Sequence, residues 1–179
     1  MNLIIAIDDN LGIGYNGNLL YHISSDLKYF KKLTTEKIVV MGKGTYQSLP
    51  QKPLPNRVNI VLSSSSCPQE DVIVCKNKEE LFNKLHEYNT EDVFVIGGAS
   101  IYKMLLPYCA IAYVTKIHEK TTADTFFEDF DSLKNWALLN TSDTFQENNI
   151  NFEFSVYRNL HPTPLPLPKS IENQNNKCL

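Results

Sequence analysis

The chain has 179 residues, 42% of them hydrophobic, and a net charge of −3 with acids and bases interspersed. That length suits one domain with a single sizeable core. No basic run points to a nucleic-acid surface, and no apolar stretch approaches the length needed to span a bilayer.

The chain opens on MNLIIAIDDN, which has no basic region, only a short apolar run and no cleavage site behind it. It reads as a buried strand rather than a secretory signal, so a cytoplasmic location is expected. Gly12-Ile13-Gly14-Tyr15-Asn16-Gly17 follows and matches GxGxxG, with Glu36 near the distance a dinucleotide-binding acid would take. Polar residues from Asp8 separate strand from first glycine, Asn16-Gly17-Asn18 is a turn signal, and the first convincing helix starts only near Ser24. The stretch therefore reads as a long glycine-jointed loop, of the kind that closes active sites. SSDLKYFKKL carries Leu27, Phe30 and Leu33 on one helical stripe, with Ser24 or Ser25 as cap.

Beyond it, KIVVM at 37–41, RVNIVL at 57–62, DVIVC at 71–75, DVFVI at 92–96 and IAYVTKI at 111–117 are continuous apolar runs of the kind buried on both faces of a parallel sheet. KEELFNKLHEY between the third and fourth shows a helical stripe at Leu81, Phe82 and Leu85. Two glycine junctions, Met41-Gly42-Lys43-Gly44-Thr45 and Ile96-Gly97-Gly98-Ala99-Ser100, stand where strands hand over to helices. Free amides at such ends suit a phosphate, and the pair points to a dinucleotide; the plain alternative is tight strand–helix packing. From about residue 130 two extended runs flank a polar turn at Gln146–Asn151, an antiparallel hairpin. The predicted fold is α/β: one domain over 1–160 with a central, mostly parallel twisted sheet of about eight strands, helices on both faces and an antiparallel C-terminal hairpin. HPTPLPLPKSIENQNNKCL over 161–179 is predicted to be a solvated, disordered tail. Cys67, Cys75, Cys109 and Cys178 form no CxxC and read as reduced thiols; no metal site is expected.

Taken in order and spacing, LIIAI, GIGYNGNL, SSDLKYFKKLT, VVMGKGTYQSL, PLPNRVNIVLSSS, VFVIGGASIY, YVTKI and ADTFF resemble the dihydrofolate reductase family, in its bacterial type with an aspartate acid, over residues 2–158. The resemblance implies reduction of 7,8-dihydrofolate to 5,6,7,8-tetrahydrofolate with NADPH, by hydride addition to C6 and protonation of N5. It implies dihydrofolate and antifolates as ligands of a monomer, with no nucleic-acid or membrane partner.

It also assigns roles. Asp26 matches the active-site acid, Phe30 the aromatic against the substrate's ring, Leu27 and Leu54 other apolar walls, and Arg57 the grip on the glutamate tail. Thr115 supports the acid, while Ile4 and Ile96 offer carbonyls to the pteridine. Ala6, Ile13, Gly14, Asn18 and Leu19 surround the nicotinamide and its ribose. Gly44, Thr45, Gly97, Gly98, Ala99, Ser100, Ile101 and Tyr102 form the pyrophosphate and nicotinamide cradle, with Tyr102 placed to stabilise charge on the nicotinamide. Lys43, Ser63, Ser64 and Lys76 surround the adenosine and its 2′-phosphate. The Gly97-Gly98 bond is expected to be cis.

A single carboxylate can accept the adjacent N–H and amino groups of a pterin edge, as it does a guanidinium fork. Burial would let it share in proton supply. The chain departs from the family in the lid, where Leu19-Leu20-Tyr21 stands for Leu-Pro-Trp, with the Tyr21 hydroxyl offered as a water anchor. It departs also at Tyr46, which replaces a tryptophan, at Ser100 and Lys43, where many members carry arginine, and near Pro50–Lys52, where one residue is added. The competing readings are a pyrimidine reductase of the riboflavin pathway and a non-catalytic folate- or antifolate-binding protein. A short-chain-type reductase lacks its YxxxK here.

Overall fold

The computed structural model describes residues 1–65 and 71–168. In chain order it contains β1 (Asn2–Asp8), β2 (Gly12–Gly14), α1 (Ser24–Thr34), β3 (Ile38–Gly42), α2 (Lys43–Ser48), β4 (Val58–Leu62), β5 (Ile73–Cys75) and α3 (Lys78–Leu85). There follow β6 (Val93–Gly97), α4 (Ala99–Leu105), β7 (Ile111–Ile117), β8 (Thr125–Phe126), β9 (Trp136–Thr141), β10 (Phe145–Glu147) and β11 (Ile150–Asn159). The six apolar runs read from the sequence are β1, β3, β4, β5, β6 and β7, and they pair in parallel in the order β7-β1-β6-β3-β4-β5.

That order follows from connection handedness. The chain steps outward from β1 to β3 and β4, then returns to β6 and β7. Right-handed crossovers place helices on opposite faces when the direction of travel reverses. Phe30 and Leu33 of α1 and Tyr46 of α2 accordingly pack with Ile4, Val39, Met41 and Phe94 on one face. Leu81, Phe82 and Leu85 of α3 and Ile101 and Leu105 of α4 pack with Leu3, Ile5, Val40 and Val95 on the other. Val39, Val40 and Met41 are fully buried in sequence, as a strand covered on both faces requires. Burying each such side chain contributes about 1.5–3 kcal/mol. Because β6 inserts between β1 and β3, loops leave neighbouring strand ends toward opposite faces and open a cleft at their carboxyl ends.

The C-terminal hairpin closes one edge. β11 runs antiparallel to β7, and β10 and β9 both pair with β11, β9 through a bulge at Val156/Tyr157. Asn148 and Asn149, with φ of 54° and 63°, make the two-residue turn of type I′ sense that matches strand twist. Asn16 and Gly17, with φ of 50° and 76°, do the same in the lid, where Tyr15 and Asn18 exchange both backbone bonds at 3.0 Å. The GxGxxG stretch is therefore a hairpin tip and opens no helix. Its base, β2, pairs with β8.

Two expectations change. Neither Ser24 nor Ser25 caps α1: the cap position is Ile23, which has no side-chain acceptor. Glu147, 123 residues away, supplies the acceptor, taking the Ser24 N–H at 2.6 Å, the Ser25 N–H at 3.0 Å and the Ser25 hydroxyl at 2.7 Å. These donors hold its carboxyl well below the usual range, near 2. The Pro-rich segment also differs over 161–168, which lies on the domain. Thr163 N–H donates to Pro107 at 2.8 Å, His86 Nε2 donates to the Pro166 carbonyl at 2.8 Å, and Leu165 packs against the core that holds Leu81 and Leu105. Alternating prolines keep the backbone extended with its carbonyls unused, so it can accept from the domain. Residues 169–179 lie outside the described residues, as do Cys67 and Cys178; Cys75 and Cys109 are free and buried. Among the described residues no helix is long and apolar enough to cross a membrane.

Candidate active site

The cleft has two walls. On the first, α1 carries Asp26 near its first turn and β7 carries Thr115, which is buried. The Thr115 hydroxyl donates to Asp26 Oδ1 at 2.6 Å. Burial raises the Asp26 pKa above the usual carboxylate value, and the Thr115 hydrogen bond partly opposes that shift. A carboxyl raised in this way at a cleft holds a proton more readily than an exposed one. One turn on, Phe30 lies beneath the Arg57 guanidinium, whose carbon sits 5.8 Å from the ring centroid. Arg57 is fixed by Nε donating to the Pro55 carbonyl at 3.0 Å and Nη1 donating to Thr34 Oγ1 at 3.0 Å. Thr34 in turn donates to the Phe30 carbonyl at 2.8 Å. This ties the arginine and the aromatic into one unit, with the Nη2 end turned to no protein acceptor among the described residues. Leu54 is buried, and Asn59 brackets it, accepting its N–H at 3.0 Å and donating to its carbonyl at 2.9 Å. Leu27 stays 44% exposed, although the helical stripe would have put it in the core; Phe30 and Leu33 alone of that stripe pack on the sheet.

Ile4 and Ile96 are buried at the cleft floor, on β1 and β6. The Tyr102 hydroxyl of α4 donates to the Ile4 carbonyl at 2.7 Å, and burial, with Asp26's charge adding, pushes its pKa far up. Tyr102 thus stays a neutral donor, already engaged with the carbonyl assigned to the pteridine. Ala6, Ile13, Leu19, Leu20, Tyr21 and Asp26 surround a small void of about 10 Å³, about the space of one water molecule. The Tyr21 hydroxyl is buried and has no hydrogen-bond partner among the described residues. Burial and the charges of Asp8, Glu119 and Asp9 raise its pKa, so the carboxylates acting on it are those at the lid base.

The second wall is built from backbone. α2 and α4 both start at glycine without side-chain caps, Gly42 before Lys43 and Gly98 before Ala99. The two ends meet: a Cβ on Gly98 would lie 3.3 Å from Thr45 Oγ1, and one on Gly97 would lie 3.3 Å from the Tyr102 ring and 3.4 Å from Thr45 Oγ1. Gly97 has φ of 121°, which only glycine adopts readily, and the Gly97-Gly98 peptide is cis as expected. A Cβ on Gly44 would meet nothing within 4 Å, so that residue borders open space. Toward the sheet edge, Lys43 Nζ donates to Ser65 Oγ at 2.6 Å, and Ser63 is buried with its hydroxyl on the Ser65 carbonyl at 2.7 Å. Ser64 and Lys76 are exposed beside them at the ends of β4 and β5. On the lid, Gly14 is buried, while Asn18 and Leu19 are exposed. Sequence reasoning missed Thr34, Asn59 and Glu147. Asn59 is a polar residue within the apolar run RVNIVL, which is itself a signal; Thr34, among polar residues at the end of α1, and Glu147, whose partners are remote, left none.

Comparison with known proteins agrees with this geometry. A family model described as dihydrofolate reductase matches residues 1–159. The dihydrofolate reductase of Drosophila melanogaster is 38% identical over 173 residues, covering 87% of this chain and 95% of the relative. That of Bacillus subtilis is 37% identical over 160 residues, covering 88% and 93%. A solved dihydrofolate reductase from Enterococcus faecalis, complexed with NADP(H) and RAB-propyl, superposes with a TM-score of 0.78 at 34% identity, covering 88% of this chain and 95% of that one. With the match spanning every element that builds the cleft, the chain belongs to the dihydrofolate reductase family.

Proposed function

We propose that the protein reduces 7,8-dihydrofolate to 5,6,7,8-tetrahydrofolate with NADPH, as a cytoplasmic monomer acting without nucleic acid, and that residues 1–160 form the catalytic domain. The observation that carries this reading is the Asp26–Thr115 pair on the same wall as the Arg57–Phe30 unit. Thr115 engages one lone pair of Asp26, and a carboxylate has about four such sites, so the acid can still take both N–H donors of the pterin edge. Phe30, Leu27 and Leu54 flank the aminobenzoyl ring, and the free end of Arg57 takes the α-carboxylate bidentately. The carbonyls of Ile4 and Ile96 orient the pteridine.

The residues present fit NADPH. Uncapped amides at the starts of α2 and α4, with Thr45 between them, suit a pyrophosphate, and the open space at Gly44 admits its close approach. Ala99, Ser100 and Ile101 continue that cradle. Lys43, Ser63, Ser64 and Lys76 would hold the adenosine and its 2′-phosphate. Ala6, Ile13, Gly14, Asn18 and Leu19 would enclose the nicotinamide beside Tyr102. When bound, NADPH supplies the hydride. The chain's part is to align the two rings, exclude water with the lid, and keep a proton available for N5 through Asp26 and a water in the void beside Tyr21.

The relatives give no support to the pyrimidine-reductase or binding-protein alternatives. The test is loss of the NADPH absorbance band on adding purified protein with dihydrofolate, with NADH and a ribosylated aminopyrimidine run as alternative partners. Turnover with NADPH and dihydrofolate is expected. Consumption with the pyrimidine alone, or with neither, overturns the reading.

A further inference from the structure

Asp8 ends β1, and its side chain is almost completely buried. A carboxylate taken out of water costs free energy unless donors replace its hydration. Here the donors are three backbone amides from two separate segments. Oδ1 accepts the N–H of Asn10 at 2.9 Å and of Gly12 at 2.8 Å, and Oδ2 accepts the N–H of Thr121 at 3.3 Å. The first two flank Leu11, which has φ of 63°. An ordinary side chain in that left-handed region is strained and persists only where its surroundings impose it. One Asp8 oxygen therefore clamps both sides of a strained turn, which the Leu11 N–H to Asp8 carbonyl bond closes at 2.9 Å.

The turn is the root of the lid. A Cβ on Gly12 would stand 2.8 Å from Ala123 Cβ, 2.9 Å from Leu20 Cδ1 and 3.0 Å from Asp8 Oδ1. The lid, the 118–124 loop and the carboxylate thus converge on one point with no spare room. The backbone bond from Asp9 to Glu119 at 3.1 Å joins the same two segments, and that from Phe127 to Leu11 at 2.9 Å ties the turn to the chain just past the loop. Ile13 and Gly14, the lid residues assigned to the nicotinamide, follow directly.

We propose that Asp8 is a positioning residue for the reduction: its carboxylate locks the Leu11 turn and couples the lid base to the 118–124 loop, setting Ile13 and Gly14 over the reacting ring. The assignment rests on the function proposed above, because it concerns the ring that those residues enclose. Asp8 acts through the backbone it holds, beside the charge it places near the Tyr21 hydroxyl.

The experiment compares Asp8→Ala and Asp8→Asn with wild type by two readouts. In the ligand-free protein, amide hydrogen exchange over 9–23 and 118–124 should rise together in Asp8→Ala by about tenfold or more, the signature of a shared local opening. In single turnover, the rate of NADPH oxidation should fall by about tenfold or more, as a small misplacement does, with dihydrofolate affinity held within about twofold because Asp26 and Arg57 are fixed by Thr115, Thr34 and Pro55, none of them part of the Leu11 turn. Asp8→Asn, which keeps one oxygen acceptor, should lie between and carries both readouts if the alanine variant does not fold. Ile60→Val, a core change far from the lid, serves as the stability control and should show neither effect. Exchange confined to 9–23, or a wild-type single-turnover rate in a folded variant, overturns the proposal. Inactivity of the wild-type protein toward dihydrofolate would instead sink the functional reading, and the exchange result would still judge the coupling.

Discussion

The two walls of the cleft are prepared in opposite ways. On the substrate wall the polar side chains that hold its shape are already engaged within the protein: Thr115 with Asp26, Thr34 with both Arg57 and the Phe30 carbonyl, Asn59 with the Leu54 backbone. On the cofactor wall the starts of α2 and α4 carry no side-chain cap, and Gly44 faces open space. A wall tied by its own side chains is rigid without ligand and sets specificity. A wall of backbone donors left for a ligand gains stability from that ligand.

The contrast predicts the largest effect for the cofactor. NADP(H) at about a hundred times its dissociation constant should stabilise the fold by about 2.7 kcal/mol. For a chain of this length that raises the melting temperature by about 5–10 °C, read by calorimetry. Folate at equal saturation stabilises by the same mass action, so the discriminating reading is local: hydrogen exchange should fall sharply at 42–46 and 97–101 with NADP(H) and change little at 26–34 with folate. Equal protection on both walls would remove the distinction.

Next in size is Arg57→Lys. A charged, hydrogen-bonded pair contributes roughly 1.5–3 kcal/mol, so dihydrofolate should bind at least about tenfold more weakly while NADPH affinity holds. The lysine also loses the planar stack on Phe30 and the fork that Thr34 and Pro55 orient. Equal weakening of both ligands by titration would make Arg57 structural.

The smallest effect concerns the C-terminal segment. Removing residues 163–179 should lower the melting temperature by a few degrees, since Leu165 leaves the core and two backbone carbonyl contacts are lost, each worth about 1 kcal/mol. Turnover should stay within about twofold, because α3 and the Pro107 turn are remote from the cleft. An unchanged melting temperature would show that the contacts of Thr163, Leu165 and His86 carry no net stability.

What was legible in the sequence follows the same division. The parallel strands were plain because Val39, Val40 and Met41 are covered on both faces, and continuous apolar runs have few other uses. The glycine junctions were legible because Gly97 needs a backbone conformation that other residues resist. Features made by contacts distant in sequence were hidden. Ser24 looked like a cap and is not one, because Glu147 reaches α1 from the hairpin. β2 and β8 are too short to show a period, and their pairing joins segments that only the folded lid brings together. The proline-alternating segment looked solvated because its composition is that of a linker; Leu165 finds a place in the core only once α3 and α4 have packed.

The most direct test of the account is Asp26→Asn, measured for turnover and stability across pH. The amide keeps the Thr115 hydrogen bond but carries no charge and supplies no proton, so kcat/KM at neutral pH should fall by about a hundredfold or more. It should recover partly at acidic pH, where dihydrofolate is protonated in solution. Stability should move the other way. Burial raises the Asp26 pKa in the folded state, so folding loses stability as pH climbs from the unfolded value through the folded one. The ligand-free asparagine variant should therefore melt above wild type once pH has passed the raised folded-state value, and not below the unfolded pKa. A folded variant with wild-type turnover at neutral pH would contradict the assignment of Asp26 as the acid of this site.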